Sequence, residues 1–203
     1  TPAQADTISW TVTFSEPVIN VTANDFQITG PTVDIGTVNA VSSTVYELTT
    51  QSGGLSGFDG LVMLSLSATS NITDAAYNDL PDLSPTGLDE RNVDIDNAGP
   101  VITRIDRASP TDFYTNADTL SWLFVFNETV ENVLASDFAL TGSTATLQVS
   151  VDDNEVTVTA SGGDLASLSS QAVRINLQSF NTIEDSFGNS MSSTVVQGAI
   201  NDI

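Results

Sequence analysis

A segment of 26 residues occurs twice in this chain, and this repeat constrains the fold more than any other feature. Ala5–Gly30 reads ADTISWTVTFSEPVINVTANDFQITG, and Ala117–Gly142 reads ADTLSWLFVFNETVENVLASDFALTG, an offset of 112 residues. That offset is about the size of one small all-β domain. The sequence therefore predicts two copies of one module, a first domain over residues 1–95 and a second over residues 96–203. Any function has to be argued for a repeated unit.

Apolar and polar residues alternate along the repeated segment. In the first copy the apolar positions are Ile8, Trp10, Val12 and Phe14. The positions in the same phase of the second copy are Leu120, Trp122, Phe124 and Phe126. A period of two over this length is typical of a half-buried β-strand. Both tryptophans are therefore predicted to be core residues.

Further strand patterns follow in each module, separated by turn residues. They are Asp25–Ile28, Val62–Leu66 and Arg91–Ile95 in the first module, and Pro100–Ser109, Asp137–Leu140, a hairpin over Thr144–Ala160, Val173–Leu177 and Thr194–Ile200 in the second. The first module is expected to lack the strand equivalent to Pro100–Ser109. About seven short strands per module predict an all-β fold of two tandem immunoglobulin-like β-sandwich domains.

The charge of the chain restricts its partners. Four arginines, no lysine and no histidine stand against 26 acidic residues among 203, which gives a net charge of −22. Such a surface repels nucleic acid and anionic membranes and attracts cations. Asp outnumbers Glu by 19 to 7, which favours Ca²⁺ binding because short carboxylates in loops are common calcium ligands. The alternative is an acidic surface that serves solubility or tolerance of high salt.

Missing residue types argue against catalysis. The chain has no cysteine and no histidine, so it lacks thiol chemistry, disulfides and the usual general base. It contains no Gly-rich phosphate loop and no nucleophile elbow. Paired acids can hydrolyse glycosides, but the acids here are expected at a domain junction rather than in a deep cleft. No apolar run approaches the ~20 residues of a membrane span. We therefore predict neither an enzyme nor membrane insertion by this segment.

Carboxylates are predicted to gather at one end of each module. Glu16 and Glu128 fall in phase with the core-facing residues just where their strands end, and an unpartnered carboxylate there is costly. No basic residue lies nearby in sequence, so a cation or backbone N–H groups remain as partners. Sandwich topology brings this strand end, a later loop and the incoming linker to the same pole. The predicted junction ligands for Ca²⁺ are Asp94, Asp96, Asn97, Glu128, Asp185 and Asn189.

Further acidic residues and one asparagine are candidate ligands outside the junction. Glu16, Asp74 and Asn78 are predicted to form the equivalent but incomplete site of the first module. Asp25, Asp137 and Asp202 are further possible ligands, and the first two have turn or capping roles as the alternative. A plain hairpin turn is the alternative for the 185–189 loop, and a solvated hinge is the alternative for the linker.

The chain resembles bacterial Ig-like repeats. The resemblance is carried by the segments TFSEPV (13–18), DF (25–26), DSFGN (185–189) and the linker DIDNAGP (94–100). The linker is also similar to the calcium-binding junction of cadherins. Two departures are NET (127–129) in place of SEP, and Tyr77 where the pattern has glycine. If that position needs a positive φ, Tyr77 is strained or the loop is reshaped.

The resemblance implies an extracellular role, either secreted or at the cell surface. Such repeats form stalks of large adhesins in cell adhesion and biofilms, often stiffened by Ca²⁺ between domains. Their partners are neighbouring repeats, with any glycan or protein receptor bound through other domains. We therefore predict a calcium-rigidified spacer. The alternatives are a carbohydrate- or receptor-binding adhesion module and a module appended to a secreted enzyme.

Overall fold

The computed structural model describes residues 5–81 and 91–191. Over these ranges the chain is all-β, and its helical content is limited to three short 3₁₀ turns, Ala23–Asp25, Ala135–Asp137 and Leu165–Ser167. The chain divides into two compact units, Thr1–Ala98 (unit 1) and Gly99–Ile203 (unit 2). The predicted all-β sandwich class is confirmed, whereas the number and boundaries of the domains stay predictions. No helix in the described ranges is long and apolar enough to cross a bilayer.

Unit 1 is built from antiparallel sheets around one core. Its strands are β1 (Ser9–Thr13), β2 (Val18–Ile19), β3 (Phe26–Thr29), β4 (Ile35–Ala40), β5 (Val45–Thr50), β6 (Asp59–Leu66), β7 (Thr73–Asp74) and β8 (Asn92–Asp96). The strand orders are β1-β5-β4, β3-β6-β8 and β2-β7. Inward positions of these strands, among them Trp10, Leu48 and Val62, form the core, as alternating strands require.

Unit 2 has six strands among its described residues, against eight in unit 1, and its first strand has no counterpart in the described part of unit 1. Its strands are β9 (Ile102–Ser109), β10 (Thr119–Phe126), β11 (Phe138–Thr141), β12 (Thr146–Asp152), β13 (Glu155–Ser161) and β14 (Arg174–Leu177). The strand orders are β12-β13-β10-β9 and β11-β14. The core includes Trp122, Phe124 and Phe126, as the alternation predicted. Strand β10 thus pairs with both β9 and β13, whereas β1 of unit 1 pairs with β5 alone in the described residues.

Most predicted strands are confirmed. The hairpin of unit 2 turns at Asp153-Asn154, where Asp153 has a φ of 56°, and the Arg91–Ile95 pattern corresponds to β8. The β4–β5 hairpin of unit 1 was not predicted, because its outward positions include Gly36 and Asn39, which favour strands weakly. The predicted strand Thr194–Ile200 lies outside the described residues.

Candidate metal centre

The loop from Asp185 to Asn189 is closed by the side chain of its first residue. Asp185 Oδ1 accepts hydrogen bonds from the N–H groups of Phe187 (2.7 Å) and Asn189 (2.9 Å). Asp185 Oδ2 accepts one from Nδ2 of Asn189 (2.7 Å). A carboxylate offers roughly four acceptor positions, so one position on Oδ2 is left for a further donor or a cation. Asp185 is only 3% exposed, which makes satisfaction of this charge energetically important.

Unit 1 contains the same loop from Asp74 to Asn78. Asp74 Oδ1 accepts hydrogen bonds from the N–H groups of Ala76 (2.8 Å) and Asn78 (2.9 Å), and Oδ2 accepts one from Nδ2 of Asn78 (2.8 Å). The side-chain amide of Asn78, followed by its backbone N–H, holds the pKa of Asp74 below its usual value. The two repeats therefore share one loop conformation.

Tyr77 adopts a positive φ and is therefore strained, which was one of the two alternatives expected from the sequence. It has a φ of 66°, at the position where Gly188 of the second loop has a φ of 85°. Both residues donate their N–H to the carbonyl of the first loop residue, Tyr77 to Asp74 at 3.1 Å and Gly188 to Asp185 at 3.2 Å. The loop therefore keeps its shape, and Tyr77 carries the cost of a left-handed backbone in a non-glycine residue.

The two loops differ in how they are covered. Asp185 and Asn189 are both buried in unit 2, whereas the equivalent aspartate of unit 1 is half-buried and its asparagine is exposed. In unit 2 the backbone of Gly99 lies against the carbonyl groups of Asn189 and Ser190, so closely that a Cβ at residue 99 would overlap the Ser190 oxygen. Gly99, at the start of unit 2, therefore helps to shield the Asp185–Asn189 loop from solvent.

Glu128 lies beside the same incoming segment. Asn127 Oδ1 accepts a hydrogen bond from the Val101 N–H (2.7 Å), and the Asn127 N–H donates to the Val101 carbonyl (3.1 Å). Asn127 Nδ2 in turn donates to Oε1 of Glu128 (3.1 Å). Glu128 is half-buried. Asn127 thus positions the Glu128 carboxylate and also connects the end of β10 to Val101, which directly precedes β9.

Glu16, the repeat equivalent of Glu128, is exposed. The alternation that predicted an inward side chain ends with β1 at Thr13, so the phase no longer applies three residues later. Hydrogen bonds in residues 5–81 and 91–191 connect Asp74 with Asn78, and they do not connect Glu16 with either. The structure therefore brings two of the three predicted ligands of the first module together and leaves Glu16 in solvent.

The two linker aspartates lie on β8, on either side of the buried Ile95. Asp94 is exposed and Asp96 is half-buried. The register pairs Asp96 with Asp59 of β6, which places two carboxylates directly opposite each other. Like charges across strands, with Cβ atoms about 4.5–5.5 Å apart, destabilise a sheet unless they are compensated. A cation or backbone N–H donors can supply that compensation.

Asp59 was missed by the sequence reasoning. Its Oδ1 accepts hydrogen bonds from the N–H groups of Asn97 (3.2 Å) and Ala98 (2.9 Å). Its position opposite Asp96 follows from the register of β6 and β8, and this register cannot be deduced from the spacing of residues along the sequence. Asn97, a predicted ligand, uses its side chain within unit 1: Oδ1 accepts from the Ala5 N–H (3.0 Å), and Nδ2 donates to the carbonyls of Ala5 (2.7 Å) and Leu55 (2.8 Å).

Asp25 occupies a capping position. Its Oδ2 accepts hydrogen bonds from the N–H (2.7 Å) and hydroxyl (2.8 Å) of Thr22, and its Oδ1 accepts one from the Asn71 N–H (2.9 Å). Burial by itself raises the pKa of Asp25, but the hydrogen bonds outweigh it and hold the pKa below its usual value. These contacts fit the capping alternative.

Asp137 is the repeat equivalent of Asp25 and is also buried. Its Oδ2 accepts a hydrogen bond from the Leu134 N–H (2.7 Å), and its Oδ1 accepts one from the Thr182 hydroxyl (2.7 Å). It therefore holds the same turn in unit 2. Asp202, the remaining candidate ligand, lies outside the described residues.

Two carboxylates of unit 2 are close enough to contact one hard cation, since ligand oxygens of Glu128 and Asp185 lie within 4.8 Å of each other. Asp185 presents a buried carboxylate with one open acceptor position, and Glu128 supplies a second, half-buried carboxylate at the same entry segment. Ca²⁺ takes six to eight such oxygens.

No protein-family model matches this chain, and no curated protein or solved structure gives a significant match to it. The resemblance to bacterial Ig-like repeats stays a prediction.

Proposed function

We propose that the chain forms two immunoglobulin-like spacer repeats of a bacterial surface adhesin or secreted repeat protein. Ca²⁺ bound by Asp96, Glu128 and Asp185 stiffens the connection between the repeats. The role is structural, not catalytic: the repeats project a distal binding domain away from the cell. In the absence of the ion, the carboxylates repel one another and the connection flexes.

The observation that carries this proposal is the buried carboxylate of Asp185. A buried charge is tolerated when it is hydrogen-bonded and neutralised. Asp185 has three hydrogen bonds from N–H donors, and no ion pair to it is found among the described residues. A divalent cation at the remaining position on Oδ2 supplies the missing positive charge.

Chain connectivity supports the participation of Asp96. This residue precedes Gly99 by three positions, and three residues span at most about 11 Å. Gly99 lies against the carbonyl of Ser190, directly after the Asp185–Asn189 loop. Chain connectivity therefore keeps Asp96 close to the loop. The negative charge of Asp59 opposite Asp96 makes a shared cation favourable.

Calcium titration tests the proposal. Isothermal titration of the metal-free chain with Ca²⁺ is expected to reveal a site with a dissociation constant of about 10⁻⁴–10⁻³ M, the range of extracellular modules. Glu128→Gln removes one charged ligand and is expected to weaken binding at least about tenfold. Glu16→Gln makes the same chemical change at the repeat-equivalent, exposed position and is expected to leave binding at the wild-type level.

Small-angle scattering tests the mechanical part. The wild type is expected to become more extended and less flexible between chelator and saturating Ca²⁺, and Glu128→Gln is expected to lose this transition. Identical scattering in both conditions contradicts the stiffening role. Equal calcium binding by Glu128→Gln and the wild type contradicts the site.

A binding module is the second candidate function, and one observation favours it. Phe113 and Tyr114 are adjacent exposed aromatic residues in unit 2. Aromatic residues are enriched at interfaces, and neighbouring exposed apolar side chains indicate a contact surface better than single ones do.

A further inference from the structure

Unit 2 contains an open cleft of about 470 Å³, a volume within the range of small-molecule sites. It lies between the end of β9, the start of β10 and the segment from 165 to 174. Leu120, Trp122 and Leu165 give it an apolar floor. Trp122, the last residue of β10 in its lining, precedes Glu128 by six residues, about 20 Å of extended strand, so the cleft is distinct from the candidate metal centre.

Two aromatic side chains stand at the edge of this cleft. Phe113 is 64% exposed and Tyr114 is 88% exposed. Their ring centroids are 4.9 Å apart with an interplanar angle of 81°. This edge-to-face contact holds the pair together while leaving ring surface open to solvent. Such surface is suited to stacking against the C–H face of a sugar ring.

Positive charge is concentrated at the same place. Arg107 and Arg174, two of the four arginines in a chain with net charge −22, both line the cleft. The only arginine–carboxylate ion pair within residues 5–81 and 91–191 is Arg104–Asp106 (2.8 Å). Asp112 also lines the cleft, but it forms no such pair with either arginine. The two guanidinium groups are therefore available for an external anion.

The fold positions Arg107 for this role. It lies opposite the buried Trp122 in the β9–β10 register, immediately beside a β-bulge, and bulges commonly re-aim side chains at functional edges. Its guanidinium carbon is 5.4 Å from the centroid of the Phe113 ring. This cation–π contact orients the side chain without using up its carboxylate-binding N–H groups.

We propose that this cleft binds an anionic saccharide that bears a carboxylate. The guanidinium groups of Arg107 and Arg174 hold the carboxylate, and the Tyr114 ring stacks on the sugar. Neutral donors and acceptors for the sugar hydroxyls come from Ser169, Asn116 and Gln171, which share the lining. This mixture of amides, hydroxyls, aromatic rings and guanidinium groups matches the chemistry of an acidic sugar.

An acidic segment of a second copy is the less favoured occupant. Two chains of net charge −22 repel each other on approach, and such a contact leaves the neutral amides and exposed rings without an evident role. A short acidic oligosaccharide brings far fewer negative charges. The proposal is independent of calcium and of the spacer role, so it can fail or hold separately from them.

Binding experiments in chelator test this proposal, because chelation prevents calcium from bridging acids. The probes are oligosaccharides of galacturonate, of glucuronate and of sialic acid, with methyl-esterified oligogalacturonate as the uncharged counterpart. At least one acidic probe is expected to bind, and when galacturonate binds, its ester is expected to bind at least about tenfold more weakly. That factor corresponds to the loss of a charge-assisted hydrogen bond.

Matched variants locate the site. Arg107→Gln is expected to weaken binding at least about tenfold. Arg104→Gln makes the same charge change on the same strand outside the cleft and is expected to stay within about twofold, since screened surface charges act weakly. Tyr114→Ala is also expected to weaken binding, and its exposure makes unfolding an implausible cause. Circular dichroism checks the fold of each variant.

Three results overturn the proposal. One is the absence of binding to all three acidic probes. Another is equal weakening by Arg104→Gln and Arg107→Gln, which indicates long-range attraction only. The third is self-association of the chain that depends on Arg107 in the absence of saccharide binding, which assigns the cleft to an acidic protein surface.

Discussion

The loops Asp74–Asn78 and Asp185–Asn189 share a hydrogen-bond pattern but differ in their exposure. In both, an aspartate accepts two backbone N–H groups and an asparagine amide. The aspartate and the asparagine are buried only in the second loop, where Gly99 lies against the carbonyl groups at the loop end. The sequence motif thus determines the loop conformation, whereas the chain segment packed over it determines whether its charge is costly. That difference separates a turn from a candidate ion site.

Removing the carboxylates is expected to give the largest contrast between the loops. Asp185→Ala removes an acceptor used by two N–H groups and a buried amide, and is expected to lower the free energy of unfolding of unit 2 by about 3 kcal/mol. Asp74→Ala is expected to cost much less in unit 1, because water can replace the lost acceptor. Urea-dependent hydrogen exchange, read on peptides from each unit, measures both. Equal losses would remove the distinction based on burial.

Gly99→Ala tests whether the packing of Gly99 is what buries the Asp185–Asn189 loop. The added Cβ overlaps the carbonyl oxygen of Ser190, so the entry segment or the loop end has to shift. A cost of about 1–3 kcal/mol is expected, together with faster exchange around Asp185. Peptides containing Asp74 serve as the internal control and should not change. Unaltered protection near Asp185 would show that Gly99 does not contribute to covering the loop.

Tyr77 and Gly188 occupy equivalent positive-φ positions and allow a reciprocal test. Tyr77→Gly is expected to stabilise unit 1 by about 0.5–1 kcal/mol, because the exposed tyrosine adopts a left-handed backbone. Gly188→Ala is expected to destabilise unit 2 by about 1 kcal/mol through the backbone alone, since a Cβ there meets no atom within 4 Å. Thermal unfolding followed by calorimetry measures both shifts. Shifts of the same sign would refute the equivalence of the loops.

The smallest expected effect concerns the titration of Asp74. Hydrogen bonds from Asn78 depress the pKa of Asp74 in the folded state. The resulting contribution to stability is present above the unfolded pKa of about 3.9 and is lost as the pH falls through the lower folded value. Carboxyl ¹³C shifts measured by NMR are expected to report the depressed pKa. Asn78→Ala is expected to raise it toward the ordinary value, and an unchanged pKa would discount this hydrogen bond.

The sequence predicted the strands well because their alternation reflects burial directly. Trp10 and Trp122 lie in the cores as their phase indicated. Glu16 shows the limit of the same rule, since phase holds only while a strand continues and β1 ends at Thr13. The motif 185–189 also predicted a loop, but not its burial, which requires knowledge of the packing of Gly99.

Contacts between distant residues were harder to predict. Asp59 faces Asp96 through the register of β6 and β8, and no local pattern reveals that pairing. Arg107 and Arg174 are 67 positions apart in sequence, yet both line the cleft. Phe113 and Tyr114 lie in a segment without strand alternation, and the sequence gives no measure of their exposure.

The pairing of β9 has a mechanical consequence. Tension transmitted along the backbone through Gly99 reaches unit 2 at the first residues of β9, whose length is paired with β10. Pulling parallel to the strand axis loads these inter-strand bonds in shear, so they share the force and have to rupture together. A force applied at Gly99 along the axis of β9 is therefore expected to be resisted by the whole β9–β10 ladder at once.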